Sequence, residues 1–171
     1  MNHLNLQILI TLHEEHMAIM SVLERLETLL GQYGPDKAPS ADSESVNDIL
    51  KDLANIMECE IGHHYAFEEE HMFPRFSQLA DDGIPTMLKS EHEAIRPLAK
   101  KITDLSQAAQ ADGFTAETWR DFHSFGQELV EREVFHVQKE EMGFLPGLQQ
   151  LMDPSEDADL VAAYAKMKSG T

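Results

Sequence analysis

The chain has 171 residues, 42% of them hydrophobic, which is enough for one sizeable core and short for two ordinary domains. It carries 31 acidic and 13 basic residues, and a formal net charge of -18 repels phosphate backbones and anionic lipids. No stretch approaches the roughly 20 consecutive apolar residues that cross a bilayer. The single cysteine excludes an internal disulfide and suits a reducing compartment. We therefore expect a cytoplasmic protein that binds neither nucleic acid nor membrane.

The first predicted helix is marked by apolar residues that recur every three or four positions, the spacing of one helical face. Glycines at positions 31 and 34, followed by Pro35, predict its end. The stripe consists of Leu9, Leu12, His16, Ile19, Leu23, Leu26 and Leu30. A histidine therefore occupies a core position of this helix.

The second predicted helix follows the polar loop GPDKAPSADSES, in which Asp42 or Ser43 can serve as N-cap. Its inner stripe consists of Val46, Leu50, Leu53, Met57, His64 and Glu68, and the segment ADDGIP ends it. As in the first helix, ionisable side chains take positions where an apolar core residue is expected.

The third predicted helix, with a kink expected at Pro97, has an inner face of Leu88, His92, Ile95, Ile102 and Leu105. The loop QADGFT leads to a fourth, whose inner residues are Trp119, Phe122, Leu129, His136, Glu140 and Phe144. Four amphipathic helices with mostly short connections predict an all-α fold, an antiparallel up-and-down four-helix bundle over residues 1–152. The segment SEDADLVAAYAKMK predicts a short fifth helix in a C-terminal extension, residues 153–171.

The two halves of the chain repeat each other. The segment HYAFEEEHMFP at 64–74 aligns without gaps on HVQKEEMGFLP at 136–146, and EHMAIMSVL from Glu15 aligns on EHEAIRPLA from Glu91. The repeat places in the core one histidine from each helix and two glutamates, each four residues after a histidine. These six residues are His16, His64, Glu68, His92, His136 and Glu140.

Two buried carboxylates with no lysine or arginine on their stripe are costly unless a cation compensates their charge. Imidazole and carboxylate together form a ligand set for iron, manganese or zinc, and two carboxylates able to bridge favour two ions over one. A lone cysteine argues against a structural zinc site, which commonly uses thiolates. The residues alone therefore predict a metal site without fixing the metal.

A histidine preceded by glutamate in one helix, and H-x-x-x-E-E ending in F-P or L-P in the next, occur twice between residues 9 and 150. In this pattern the chain resembles the hemerythrin-like HHE cation-binding family. The resemblance implies a non-haem centre of two iron ions, oxo- or hydroxo-bridged, inside the bundle. It implies one iron on His16 and His64, the other on His92 and His136, and bridges from Glu68 and Glu140.

The chain departs from hemerythrins proper, which carry a fifth histidine one turn after the third-helix ligand and an aspartate as the second bridge. Here Arg96 and Glu140 stand at those positions. With four histidines, the centre resembles shorter HHE proteins and iron-centre-repair proteins more than dedicated oxygen carriers. A ferritin-type centre is an alternative, because E-x-x-H begins at Glu60, Glu68 and Glu133, but that motif does not repeat symmetrically.

Several ionisable residues lie outside the predicted ligand set. We expect Glu69, Glu70 and Glu141 to form a solvated acidic face, and His3 and His123 to be superficial. The sequence leaves open whether four further residues take part in the site: His13, His63, Tyr65 and His71.

The predicted function is that of a di-iron protein that binds or senses a small diatomic ligand, dioxygen or nitric oxide, or that handles iron. Few acid–base groups stand out beyond the ligands, which favours binding over substrate oxidation. The alternatives are a di-iron enzyme that detoxifies nitric oxide or peroxide or repairs iron centres, and a metal-free helical interaction module.

Overall fold

The computed structural model describes residues 3–40 and 42–170, apart from the side chain of Glu60. This part of the chain is helical and contains no strand. The helices are α1 (Gln7–Gln32), α2 (Glu44–Phe67), α3 (Phe73–Leu79), α4 (Gly83–Asp112), α5 (Ala116–Lys139), α6 (Leu145–Leu151) and α7 (Asp157–Ser169). A π-helical turn, Glu68–Met72, joins α2 to α3, and a second, Glu140–Phe144, joins α5 to α6. A 3₁₀ turn at Pro154–Glu156 leads into α7.

Four long helices close a ring, because α1 and α4 each pack against both α2 and α5. The predicted all-α bundle with a short C-terminal helix is confirmed. Short connections join the helices, and at the α4–α5 turn Gly113 adopts a φ of 77°, a left-handed conformation that favours glycine. Thr115 then caps α5 by a reciprocal pair of hydrogen bonds with Thr118. Among the described residues, no helix has both the length and the apolar character needed to cross a bilayer.

Two apolar clusters fill the bundle, one on each side of a polar layer. Along each long helix a core histidine separates the two clusters, as His16 separates Leu12 from Ile19 and His92 separates Leu88 from Ile95. One cluster contains the α4–α5 end of the bundle, with Trp119 at its edge. The other contains the apolar side chains of α3, α6 and α7. The four histidines therefore lie at one level, enclosed by dry packing above and below.

Both π turns begin at a glutamate of the polar layer, and one residue separates the end of each from a proline, Pro74 or Pro146. The amide of Phe73 donates to the carbonyl of Glu68, five residues back, and Leu145 pairs with Glu140 in the same way. A proline at the next position has no N–H, and its ring clashes with the carbonyl four residues before it. A turn widened by one residue relieves that clash, so each helix continues past the site.

Candidate metal centre

The structure brings the six predicted ligands together in the polar layer. The Nε2 atoms of His16 and His64 lie 3.1 Å apart, and those of His92 and His136 lie 3.0 Å apart. Each of these histidines, and each of the two glutamates between them, is at most 1% exposed. The layer therefore contains two imidazole pairs, screened from solvent and facing two carboxylates.

Each of the two inner carboxylates lies between the histidine pairs. Glu68 Oε1 lies 3.0 Å from His64 Nε2, and its Oε2 lies 3.3 Å from His92 Nε2. Glu140 Oε2 lies 2.8 Å from His16 Nε2, and its Oε1 lies 2.6 Å from His136 Nε2. The potential ligand atoms thus form two groups, each with its atoms within 4.8 Å of one another, and both groups share the two glutamates. This is the arrangement that two carboxylate-bridged ions require.

Four outer glutamates fix the orientation of the imidazole rings. A carboxylate only accepts hydrogen bonds, so each Nδ1 donates and each Nε2 keeps its lone pair for an ion in the neutral ring. The pairs are His16 with Glu141 at 2.6 Å, His64 with Glu15 at 2.7 Å, His92 with Glu69 at 2.9 Å and His136 with Glu91 at 3.0 Å.

The outer glutamates follow the internal repeat, although the sequence prediction missed them. Glu15 and Glu91 each precede a core histidine and orient the histidine of the next helix, whereas Glu69 and Glu141 each follow an inner glutamate. The prediction that Glu69 and Glu141 belong to a solvated acidic face is therefore wrong, while Glu70 is exposed as expected. The recurring dipeptides E-H and E-E could have indicated this outer network. Adjacent residues of a helix point about 100° apart, so the two side chains of each dipeptide face different neighbouring helices.

Each outer glutamate is held in turn by a second group on its far side from the histidine. Arg96 donates to Glu69 at 2.7 Å, and Lys139 pairs with Glu91. The remaining contacts are from the Tyr164 hydroxyl to Glu15 at 2.6 Å, from Lys168 to Glu15 at 3.3 Å and from His13 to Glu141 at 2.8 Å. His13, left open by the sequence, therefore lies in the outer network, and Arg96 replaces the absent fifth histidine with an ion pair.

The ionisation of the inner groups follows from their mutual contacts. Burial by itself lowers the pKa of His16, but Glu140 and Glu141 outweigh it and raise the pKa to about 9. Burial likewise opposes protonation of His136, but Glu140 and Glu91 raise its pKa to about 10. For Glu140, burial favours the neutral acid, yet His136 and His16 hold its pKa well below the usual value. In the metal-free layer these contacts therefore favour a charged network of protonated His16 and His136 with an ionised Glu140.

The inner atoms have hydrogen-bonding conflicts that a bound cation would remove. All four oxygens of Glu68 and Glu140 are buried, and none accepts a hydrogen bond of good geometry from a described residue, although histidine Nε2 atoms lie between 2.6 and 3.3 Å from them. With each Nδ1 donating to a glutamate, the facing Nε2 atoms at 3.0 and 3.1 Å oppose two lone pairs if both rings are neutral and two N–H donors if both are protonated. Only a pair with one protonated ring makes a hydrogen bond. A cation between the nitrogen and oxygen atoms resolves both conflicts, and this donor set suits iron or a similar transition metal. The residues present therefore fit a pair of metal ions.

A buried tyrosine–glutamate pair adjoins the layer. The Tyr65 ring stacks on His92 with centroids 3.6 Å apart, and its hydroxyl donates to Glu133 Oε2 at 2.5 Å. Glu133 is 1% exposed, and its other oxygen has no partner among the described residues. Burial raises the pKa of Glu133, with a further contribution from Glu140. The sequence prediction missed this residue, because the position that aligns with it in the first half is Ile61.

The other open candidates contribute less. His63 and His71 are half-buried, and the His71 ring packs 5.1 Å from Phe67. His3 is exposed as expected, but the prediction that His123 is superficial is wrong, because it is buried against the carbonyl of Leu30 at 3.0 Å. With His64 rather than His63 in the polar layer, the geometry favours the hemerythrin-type register over the ferritin-type one.

The comparison with protein families agrees with this arrangement. A sequence model described as the hemerythrin HHE cation binding domain matches residues 7–146. The matched span contains all six inner residues and the four outer glutamates, and it ends before α7. A comparison with curated proteins found no match.

Proposed function

The chain belongs to the hemerythrin HHE cation-binding family, and on that premise we propose that it is a non-haem di-iron protein that binds or senses dioxygen or nitric oxide, or handles iron. One observation carries the proposal: two buried carboxylates each present one oxygen to each of two histidine pairs. An ordinary histidine–carboxylate ion pair does not require one carboxylate to face two histidine pairs. Two neighbouring cations do need it, because their mutual repulsion is offset by anions that lie between them.

In this proposal His16 and His64 would hold one iron, His92 and His136 would hold the other, and Glu68 and Glu140 would be shared between them. Each ion would receive four protein donors, which would leave room for a small ligand if the ion takes six. Two ferrous ions can each supply one electron, which suits the binding of dioxygen or nitric oxide.

The protein itself orients the donors and excludes water. The outer glutamates keep each Nδ1 protonated, so that each Nε2 faces inward as a lone pair. The inner donors are at most 1% exposed, so only a small molecule reaches them without rearrangement of the helices. Enclosure of this kind protects a bound ligand, which supports binding or sensing over the oxidation of large substrates.

An enzyme that detoxifies nitric oxide or peroxide, or repairs iron centres, is the second candidate. The observation that favours it is the hydroxyl–carboxylate pair of Tyr65 and Glu133 beside His92. A buried carboxyl group whose pKa is raised exchanges a proton with a reacting ligand at a pH closer to neutral than a surface acid does. Binding without turnover has no need of such a group.

Metal analysis of the full chain tests the proposal. After anaerobic reconstitution with ferrous iron, we expect about two irons per chain, and loss of both in the double variant His64→Ala with Glu68→Ala. His63→Ala with Glu70→Ala is the matched control on the same helical stretch, and it should load normally. A wild-type chain that binds clearly fewer than two irons, or an inner variant that loads like wild type, would refute the di-iron site.

Exposure of the loaded chain to gas then separates the candidates. Reversible absorbance changes with dioxygen or nitric oxide support binding or sensing, whereas sustained consumption of the gas with a reductant supports the enzyme. A chain whose fold and thermal stability are indifferent to both iron and chelators supports the metal-free interaction module instead.

A further inference from the structure

The helix α7 lies outside the family-matched span, yet it packs against the metal centre. It contacts α1 and α2, and Tyr164 is its most buried side chain, at 2% exposure. Leu160, Val161, Ala163 and Met167 pack against the apolar cluster around Phe67 and Phe144. The Tyr164 ring stacks on Phe67 with centroids 4.3 Å apart, directly before the π turn that carries Glu68.

The first residue of α7 is fixed to the start of α1. The Asp157 carboxylate accepts the backbone N–H groups of Gln7 at 2.7 Å and Ile8 at 2.8 Å. Amides at a helix start lack intrahelical partners, so this distant aspartate acts as their cap. Gln7 and Glu15 are about 12 Å apart along α1, and Asp157 and Tyr164 about 10 Å along α7, at 1.5 Å per residue. The two helices therefore run side by side from the cap to Glu15.

At the other end, α7 reaches a metal ligand through one carboxylate. The Tyr164 hydroxyl donates to Glu15 Oε2 at 2.6 Å, and the same oxygen accepts from His64 Nδ1 at 2.7 Å. Lys168 donates to the other oxygen of Glu15 at 3.3 Å. Rotation of His64 out of the site must break this chain of hydrogen bonds.

Among the described residues, no tyrosine hydroxyl donates to Glu91, the counterpart of Glu15 in the second half of the chain. Glu91 corresponds to Glu15 by the internal repeat and orients His136, but it is held by Lys139, whose side chain is 44% exposed. Exposed ion pairs are screened by water and salt and restrain their partners weakly. A buried hydroxyl is not screened in this way. Of the four outer glutamates, Glu15 alone accepts from a tyrosine hydroxyl.

We propose that α7 makes the two metal positions inequivalent: Tyr164 holds Glu15, Glu15 holds His64, and the ion at His16 and His64 therefore leaves more slowly than the ion at His92 and His136. Tyr164 is a positioning residue in this scheme. The inference rests on the proposed two-metal site and goes beyond it by assigning a role to a segment that the family match does not cover. Loss of a group that orients a metal-bound histidine commonly costs about 10- to 100-fold in metal affinity.

Chelation kinetics of the full chain test the proposal. The chain loaded with two ferrous ions under anaerobic conditions is mixed with excess of a chromogenic ferrous chelator. We expect two phases of equal amplitude, one ion each. Tyr164→Phe keeps the ring stack on Phe67 and removes only the hydroxyl, so the slow phase should accelerate about 10-fold with the fast phase unchanged. Lys139→Met is the matched control at the other position and should change only the fast phase.

The outcomes separate this inference from the proposed function. Failure of the wild type to bind two ions refutes the metal site itself. Loading with two ions that leave in a single phase, or a slow phase unaffected by Tyr164→Phe, refutes the role of α7 and leaves the metal site standing. Equal acceleration of both phases also overturns it, because that pattern reports general loosening, which a lower melting temperature of the variant would reveal. Glu15→Gln and Glu91→Gln assign the slow and fast phases to their positions.

Discussion

The metal-free chain should lose stability as the pH rises from about 6.5 to 9, in contrast to the usual behaviour of acidic proteins. His16 and His136 have pKa values of about 9 and about 10 in the folded protein, because carboxylates outweigh their burial. In the unfolded chain an imidazole titrates near 6.5. A pKa raised by folding contributes stability that is fully present below the unfolded value and is lost as the pH rises through the folded value.

The magnitude follows from proton linkage. Between about pH 7 and 9 the folded chain holds a proton on each of these two histidines that the unfolded chain does not. Each such proton lowers the free energy of unfolding by about 1.4 kcal/mol per pH unit. The two together therefore cost about 3 kcal/mol per pH unit, and His64 and His92, whose pKa values are also raised, add to the slope. Metal binding displaces these protons, so the loaded chain should lack the slope.

Calorimetric unfolding of the metal-free and iron-loaded chain at pH 6.5, 7.5 and 8.5 measures this directly. The melting temperature of the metal-free form should fall with pH, and the gap between the two forms should widen. Iron added to a weakly buffered solution at pH 7.5 should release about two protons or more per chain. The variant His16→Gln with His136→Gln should flatten the slope. A melting temperature of the metal-free form that is constant over this range would refute the charged network.

Three further changes test other contacts. Glu69→Gln weakens the orientation of a core histidine, so chelator competition should show an iron affinity about 10-fold lower, whereas the exposed neighbour Glu70→Gln should bind as wild type. Burial raises the pKa of Glu133, so Glu133→Gln removes a costly charge and should raise the melting temperature of the metal-free chain at pH 8; a decrease contradicts this reasoning. Asp157→Ala removes two caps from α1 and should cost about 1 kcal/mol by urea unfolding, while exposed Asp159→Ala should be neutral.

The inner residues were predictable because burial and helical period act on the same positions. His64 and Glu68 are four residues apart on one face, and the gap-free match to His136 and Glu140 removed the ambiguity of register. More residues separate His64 from the α3–α4 connection than separate that connection from His92, so helix rise places the two histidines at unequal heights. Glu68 nevertheless contacts both. Helix rise alone does not predict that contact.

The outer network was harder to predict, because its residues lie off the apolar stripe. Glu69 and Glu141 resemble surface acids in sequence, and only the packing of the neighbouring helix turns their carboxylates toward a histidine. Tyr164 lies in a segment with weak amphipathic character, so periodicity gave no reason to connect it with residue 15. Glu133 breaks the internal repeat, and a repeat-based argument therefore overlooks it.

The outer glutamates connect the two helical hairpins, α1–α2 and α4–α5, in a symmetric way. Glu15 and Glu91 act within their own hairpin, but Glu69 orients a histidine of the second hairpin and Glu141 a histidine of the first. The two shared carboxylates likewise reach from each hairpin to the other. Neither hairpin can complete a coordination sphere by itself. Each proposed metal position consequently needs both hairpins, so ion binding at either position would report that the hairpins have docked.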